Sequence, residues 1–274
     1  MSTVINTNVK AMVAAGALVK NGRAMANTME SLSTGSRINK ASDDAAGLSI
    51  RENMTAQIKG LNAAVRNAND AISMLQTADG ALNEVSDMLQ RMRELGTLAQ
   101  NDTYSTAQRV AMNDEFTQLQ SEIDRIANNT QWNSMNLLDG TGGNWGKGSL
   151  FAFQVGANAG QTISVAVPGM GIASLGISAV SIGTVADARD AVTALDGAIS
   201  VLNTRRSVIG SVINRLTHAV DNLTNVAQNA SESRSRVTDT DYASATSELA
   251  RTQIIQQAAT AILAQANQQP QMVL

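Results

Sequence analysis

Apolar positions recur along this chain at helical, and for long stretches at heptad, spacing. From residue 185 the positions Val185, Ala188, Val192, Leu195, Ile199, Leu202, Arg206, Ile209, Ile213, Leu216, Val220, Leu223, Ala227 and Ala230 alternate steps of three and four, broken only by Arg206. Sustained spacing of that kind is a coiled-coil seam, and at 1.5 Å rise per residue it makes a rod of roughly 70 Å. The rhythm also runs through Met54, Ile58, Leu61, Val65, Ala68, Ile72 and Leu75, and resumes as Ala78, Leu82, Val85, Leu89, Met92 and Gly96. Two consecutive steps of three around Ala78, beside Asp79 and Gly80, mark a register slip that overwinds a supercoil locally. A shorter stripe, Met112, Phe116, Leu119, Ile123 and Ile126, lies beyond Asn101, Asp102 and Ser105, whose turn chemistry favours a reversal. The expectation is a mainly α chain, with an antiparallel bundle of long helices over about 44–100, 106–129 and 185–230.

Two further helices are expected at the ends. Val9, Met12, Val13, Leu18, Met25, Met29 and Leu32 mark one that stops near Gly35, and Leu249, Ile254, Ile255, Ala259, Ile262 and Leu263 mark the other. Ser42-Asp43-Asp44 and Thr238-Asp239-Thr240-Asp241 precede helices, where side-chain oxygens accept bonds from free backbone amides. The centre differs. Eleven of the 20 glycines fall between Gly140 and Gly183. There Phe151, Phe153 and Val155, then Ile163, Val165 and Val167, alternate with small or polar residues, so a β-hairpin with loops is expected within 130–184.

Composition narrows the chemistry. With no cysteine and one histidine, His218, the chain has no disulfide, thiolate nucleophile or paired-imidazole metal site. A net charge of −3 leaves no basic footprint for nucleic acid. The uncharged stretches 148–186 and 252–274 are broken by polar residues and do not read as membrane spans, and the amino terminus lacks the pattern of a cleaved signal peptide. Asp43-Asp44 and Asp239/Asp241 read as helix caps rather than acid–base pairs, and His218 as a solvated or contact residue. The 12 methionines read as deformable core filler, the Gln-rich 253–271 as helix, and Asn101-Asp102-Thr103 as a turn. No enzyme and no cofactor is expected.

The terminal segments point to function. Ordering a residue costs ~1–2 kcal/mol and burying a Leu or Ile returns ~1.5–3, yet 1–40 and 240–274 carry only about one large apolar side chain in four. Seams rich in Ala, Gly, Asn and Gln supply little burial within one chain. Ends that order only against other subunits, in a head-to-tail contact that does not close, build open helical filaments.

Many blocks of the chain resemble bacterial flagellin: Val4-Ile5-Asn6-Thr7-Asn8; Leu32-Ser33-Thr34-Gly35-Ser36-Arg37-Ile38-Asn39 followed by Lys40-Ala41-Ser42-Asp43-Asp44-Ala45-Ala46-Gly47; Gln90-Arg91-Met92-Arg93-Glu94-Leu95; and Leu263-Ala264-Gln265-Ala266-Asn267-Gln268. The resemblance covers about 1–140 and 185–274. It implies a short form without inserted outer domains, in which 1–43 with 231–274 make inner filament-core helices and 44–230 a rod domain. It further implies a structural subunit of the extracellular flagellar filament used for motility, exported by the flagellar type III route without a cleaved signal. The alternative is a flagellin-like hook–filament junction protein. Implied partners are further copies of the chain, an export chaperone, and cap and hook-junction proteins. Gln90, Arg91, Leu95 and Glu115 match positions through which sensed flagellins bind a host Toll-like receptor, and otherwise form a subunit-contact face. Leu249, Ile255, Ala259 and Ile262 are the candidates for inner-core helix packing. One departure is the end at Met272-Val273-Leu274, where the family usually continues into a Leu-Leu-Arg-like tail.

Overall fold

The computed structural model describes residues 7–141 and 150–268. The expectations for Val4–Asn6 and Met272–Leu274 therefore lie outside the described residues. The described chain forms helices α1 (Val9–Thr34), α2 (Ala45–Ala99), α3 (Thr106–Asn129), α4 (Val185–Thr238) and α5 (Tyr242–Gln268). Strands β1 (Gln131–Trp132), β2 (Met135–Asn136), β3 (Leu150–Gln154) and β4 (Thr162–Ala166) lie between α3 and α4. By contacts the chain divides into two compact units, residues 59–227 and residues 1–58 with 228–274.

The unit of residues 59–227 owns the large apolar core. Its heptad positions pack as the spacing requires: Leu75, Leu82, Val85, Leu89 and Met92 of α2, Phe116 and Ile123 of α3, and Leu195, Leu202 and Leu216 of α4 are buried in one cluster. Gln100 donates to the Ala188 carbonyl, Arg93 pairs with Asp196, and Arg206 pairs with Asp79, so α2 and α4 run antiparallel. At Gly96 the two helices come so close that a Cβ would lie 3.1 Å from Val192 Cγ2, and glycine leaves that room. Arg91 pairs with Glu115, and Arg109 donates to the Ala99 carbonyl, which sets α3 antiparallel to α2. Ser105 and Gln108 close a capping box at the start of α3, in the turn region read from the sequence.

Two sequence anomalies explain each other here. Arg206, the break in the α4 stripe, reaches across to Asp79, next to the register slip of α2, at 2.9 Å. A half-buried ion pair thus joins the polar break in the α4 stripe to the residue next to buried Ala78.

The glycine-rich centre covers this core. The expected hairpin forms, with Phe151 opposite Val165 and Phe153 opposite Ile163. A second hairpin, β1–β2, lay outside the sequence reading; its turn uses Asn133 and Ser134 at φ 48° and 64°, the left-handed pair that matches strand twist in a two-residue turn. The loop between β4 and α4 is strapped to α3 by a polar ladder. Asn113 Oδ1 accepts from the Ile182 amide, Gln120 donates to the Ile177 and Val180 carbonyls, and Asp124 accepts from the Ile172 amide. α4 outlasts its apolar stripe, reaching Thr238 rather than 230, because no glycine or proline interrupts the polar run that follows.

In the other unit α1 and α5 pair antiparallel. Asn8 donates to the Ala266 carbonyl, Asn21 to the Thr252 carbonyl, and the Tyr242 hydroxyl to the Leu32 carbonyl. Gly35 ends α1 at φ 69°, a left-handed cap that favours glycine. Directly after it, Ser36 bridges Asp239: the Arg37 amide donates to the Thr238 carbonyl at 2.7 Å and the Thr240 amide to the Gly35 carbonyl at 3.0 Å. Arg51 Nη1 donates to the carbonyl of Ile38, whose side chain is buried. A few backbone bonds thereby clasp the two ends of the chain together.

Candidate functional site

α1 buries no residue at all, and α5 buries only Thr252 and Ala266. What they leave in solvent is apolar and large. Met12 is 67% exposed, Val13 68% and Val9 60% on α1; Ile254 is 66% and Ile262 57% on α5. Val9, Val13, Ala14, Ala17, Ala259 and Ile262 line an open groove of about 680 Å³ along the pair. An exposed apolar surface of this extent marks an interaction site. Of the four residues expected to pack the inner helices, Leu249 and Ala259 are half-buried against α1's side of the pair, whereas Ile255 and Ile262 face outward. The physical reason is the helix period: the seam takes Ala245, Leu249, Thr252, Gln256, Ala259 and Leu263, and Ile255 and Ile262 fall beside it. Met12 and Met29 likewise depart from the core-filler reading, while Met74 and Met92 fit it.

The second candidate face lies on α2 and α3. Arg91 Nε bonds Glu115 Oε1 at 2.9 Å and Nη1 bonds Glu94 Oε2 at 2.6 Å. The Glu115 carboxylate first, and Glu94 after it, raise the pKa of the Arg91 guanidinium further above its ordinary value. Gln90 is exposed beside them and donates to Ser86 Oγ at 3.3 Å. Leu95 does not join this face. It is 2% exposed and belongs to the core cluster, as does Met92, because the three- and four-residue steps that bury Leu89 and Met92 turn Leu95 inward as well. The structure thus brings Gln90, Arg91 and Glu115 together and removes Leu95.

The acidic pairs divide their roles. Asp44 Oδ1 accepts from the Gly47 amide and caps α2, and Asp241 Oδ1 accepts from the Ala243 amide and caps α5. Asp43 and Asp239 are not caps. Asp43 accepts from the Lys40 and Asn39 amides, and those two bonds, Lys40 first, lower its pKa. Asp239 accepts from the Ser235 and Thr238 hydroxyls at the end of α4. His218 is exposed. Among the described residues no group of three His, Cys, Asp or Glu is placed to hold a metal, and no helix is long and apolar enough to cross a membrane. The site is therefore a set of contact faces, with Asn8, Asn21 and Tyr242 as seam residues that the sequence reading passed over; the one signal was the polar content of otherwise regular seams.

Comparisons with known proteins agree with that kind of site. A family model described as the bacterial flagellin N-terminal helical region matches residues 5–142, and one described as the bacterial flagellin C-terminal helical region matches residues 192–274. The chain is 43% identical over 273 residues to a flagellin of Halalkalibacterium halodurans, covering 99% of this chain and 98% of that protein. It is 39% identical over 282 residues to the flagellar filament 33 kDa core protein of Treponema phagedenis, again covering 99% and 98%. Among solved structures, the crystal structure of Bacillus cereus flagellin superposes with a TM-score of 0.52 at 34% identity, over 58% of this chain and 88% of that one.

Proposed function

Since the chain belongs to the bacterial flagellin family, whose members self-polymerise into the flagellar filament, we propose that the exposed apolar faces of α1 and α5 are the surfaces through which its copies pack. The protein is a structural subunit of the filament and not an enzyme. Its full-length relatives are named flagellin and filament core protein, and nothing favours the junction-protein alternative. The observation that carries the proposal is that α1, 26 residues long, buries none of them within one chain. Ordering such a helix costs on the order of 1 kcal/mol per residue in backbone entropy, and one partner helix with an Ala-rich seam offsets little of that. Contact with neighbouring copies supplies the rest by covering Val9, Met12, Val13, Ile254 and Ile262. On this reading 1–43 with 231–274 form the inner layer of the filament and 44–230 the surrounding rod.

The test is deletion of residues 240–274, which removes α5 whole. The core of residues 59–227 keeps its helical circular dichroism, and seeded polymerisation is abolished. Loss of the entire helical signal, or filaments of normal length, overturns the proposal.

The same reading places the protein outside the cell after export by the flagellar route, with an export chaperone, cap and hook-junction proteins as partners on the way. Recovery of the protein chiefly in sheared appendages supports this, and retention in the cell sinks it. Gln90, Arg91 and Glu115 form the face offered to a host Toll-like receptor. An unchanged signalling response to Arg91→Ala, in protein that still assembles, rejects that role.

A further inference from the structure

The charged side chains of the unit of residues 59–227 are sorted along its length. The half formed by residues 80–129 and 185–202 carries five Lys or Arg against eleven Asp or Glu. The other half, residues 59–79 and 203–227, carries five against three. The two halves meet where Asp79 pairs with Arg206. Internal pairing takes up most cations of the acidic half: Arg91 is held by Glu94 and Glu115, Arg93 by Asp196, Arg109 by Asp102 and Arg125 by Glu122. Among the described residues, Glu84, Asp87, Asp114 and Asp190 of that half stay exposed without an ion pair, against one exposed and unpaired cation, Arg189. In the basic half Lys59, Arg66 and Arg215 are exposed and unpaired, with Asp70 and Asp221 as the exposed charges of opposite sign. The β3–β4 hairpin, which meets this half where Asn67 donates to the Gln154 carbonyl, contains no charged residue and leaves its sign unchanged.

We propose that this separation of charge docks copies of the chain head to tail, the acidic end of this unit in one subunit meeting the basic end in the next. Between residues 59 and 99 α2 runs about 60 Å at 1.5 Å per residue, so the centres of the two halves stand about 30 Å apart. Screening at physiological salt acts over about 8 Å. The two ends of one subunit therefore do not neutralise each other, and each is left to attract another molecule of opposite sign. A second copy fits both ends at once, because one chain carries both signs and a head-to-tail contact repeats without closing. Copies that approach acid to acid or base to base repel, so the same charges set the polarity of stacking. A single exposed ion pair is worth little. Several opposite charges that come to face one another still steer the encounter and speed it, even where they add little affinity.

This rests on the chain assembling with its own copies but not on which side chains of α1 and α5 are covered, so the variants leave both helices unaltered. Full-length subunits are added to seeds of unsubstituted filament, elongation is followed by light scattering, and circular dichroism of each soluble subunit reports folding. One set, Arg66→Glu with Arg215→Glu, turns the exposed unpaired charge of the basic half negative. The other set, Asp87→Lys with Asp114→Lys and Asp190→Lys, turns that of the acidic half positive. Either set alone slows elongation about tenfold, since like charges then meet at every contact. The deciding arm is an equimolar mixture of the two variants. Each then finds the opposite sign in the other, and the mixture elongates within about threefold of the unsubstituted rate. A chain carrying both sets, inverted from end to end, does the same. Elongation that neither set changes, or a mixture no faster than its slower component, overturns the proposal. Failure of the α1 and α5 reading shows itself separately, as filaments of normal length formed without residues 240–274.

Discussion

If the outward faces of α1 and α5 are assembly surfaces, trimming them should weaken polymerisation without unfolding the subunit. Ile262 and Val13 suit the experiment because both line the same groove and are 57% and 68% exposed in one chain. Complete burial of such a side chain is worth ~1.5–3 kcal/mol, so the part still in solvent leaves about 1–2 kcal/mol to be gained on assembly. Ile262→Ala or Val13→Ala forfeits most of that. Since every 1.4 kcal/mol is tenfold in an equilibrium constant, the critical concentration for seeded growth rises about fivefold to thirtyfold. Sedimentation of filaments from a dilution series reads it, and circular dichroism of the soluble subunit serves as the control. The two side chains border one groove, so the double variant need not show the product of the two effects. A critical concentration within twofold of the unsubstituted protein, with an unchanged helical signal, would refute the reasoning, because the exposed side chains would then gain nothing on assembly.

Leu95→Ala behaves differently: it hollows the core beside Met92, and should cost about 2–5 kcal/mol in the denaturant unfolding of residues 59–227, whereas Arg91→Ala, at an exposed ion pair, costs about 1 kcal/mol or less. For the pair at the register slip, Asp79→Ala leaves a half-buried Arg206 unpaired and destabilises by roughly 1–2 kcal/mol after allowance for solvent, while Asp79→Ala with Arg206→Leu recovers much of the loss; a double variant weaker than both single ones contradicts this. Burial opposes ionisation of Asp139, but bonds from the Thr141 hydroxyl and amide and from Asn136 outweigh it and lower the carboxyl's pKa below its ordinary 3.8. A depressed carboxyl contributes stability that is present above its unfolded value and lost as pH falls through its folded one. The β1–β2 region, followed by Trp132 emission in a Trp145→Phe background, should therefore loosen below about pH 3.8 and do so less steeply in Asp139→Asn; equal acid profiles for the two proteins count against it.

The clasp and the caps show where reading a sequence by type stops short. Ser42-Asp43-Asp44 announces a helix start, and α2 begins at Ala45. Yet only Asp44 caps it, because only that carboxylate reaches the Gly47 amide, and Asp43 turns back to Asn39 and Lys40. The same division separates Asp241 from Asp239. Gln90, Arg91 and Glu115 were named together only through the resemblance, and the structure pairs Arg91 with Glu115 and leaves Gln90 exposed beside them. Leu95 lies just off the stripe that runs through Met92 and Gly96, yet it is buried, and a resemblance carried over residue by residue does not register burial.

By itself the sequence determined the helices, their antiparallel folding around a glycine-rich centre, the absence of cysteine chemistry, and the family. Those follow from periodicity and local turn chemistry, which act over a few residues and are written in their order. Only the tertiary structure decided that Arg206 answers Asp79, that the loop before α4 hangs on Asn113, Gln120 and Asp124, and that Asn8 and Asn21 of α1 meet the Ala266 and Thr252 carbonyls of α5. These depend on which residues, distant along the chain, arrive opposite one another. A hydrogen bond acts over about 3 Å of space, and separation along the chain does not enter into it.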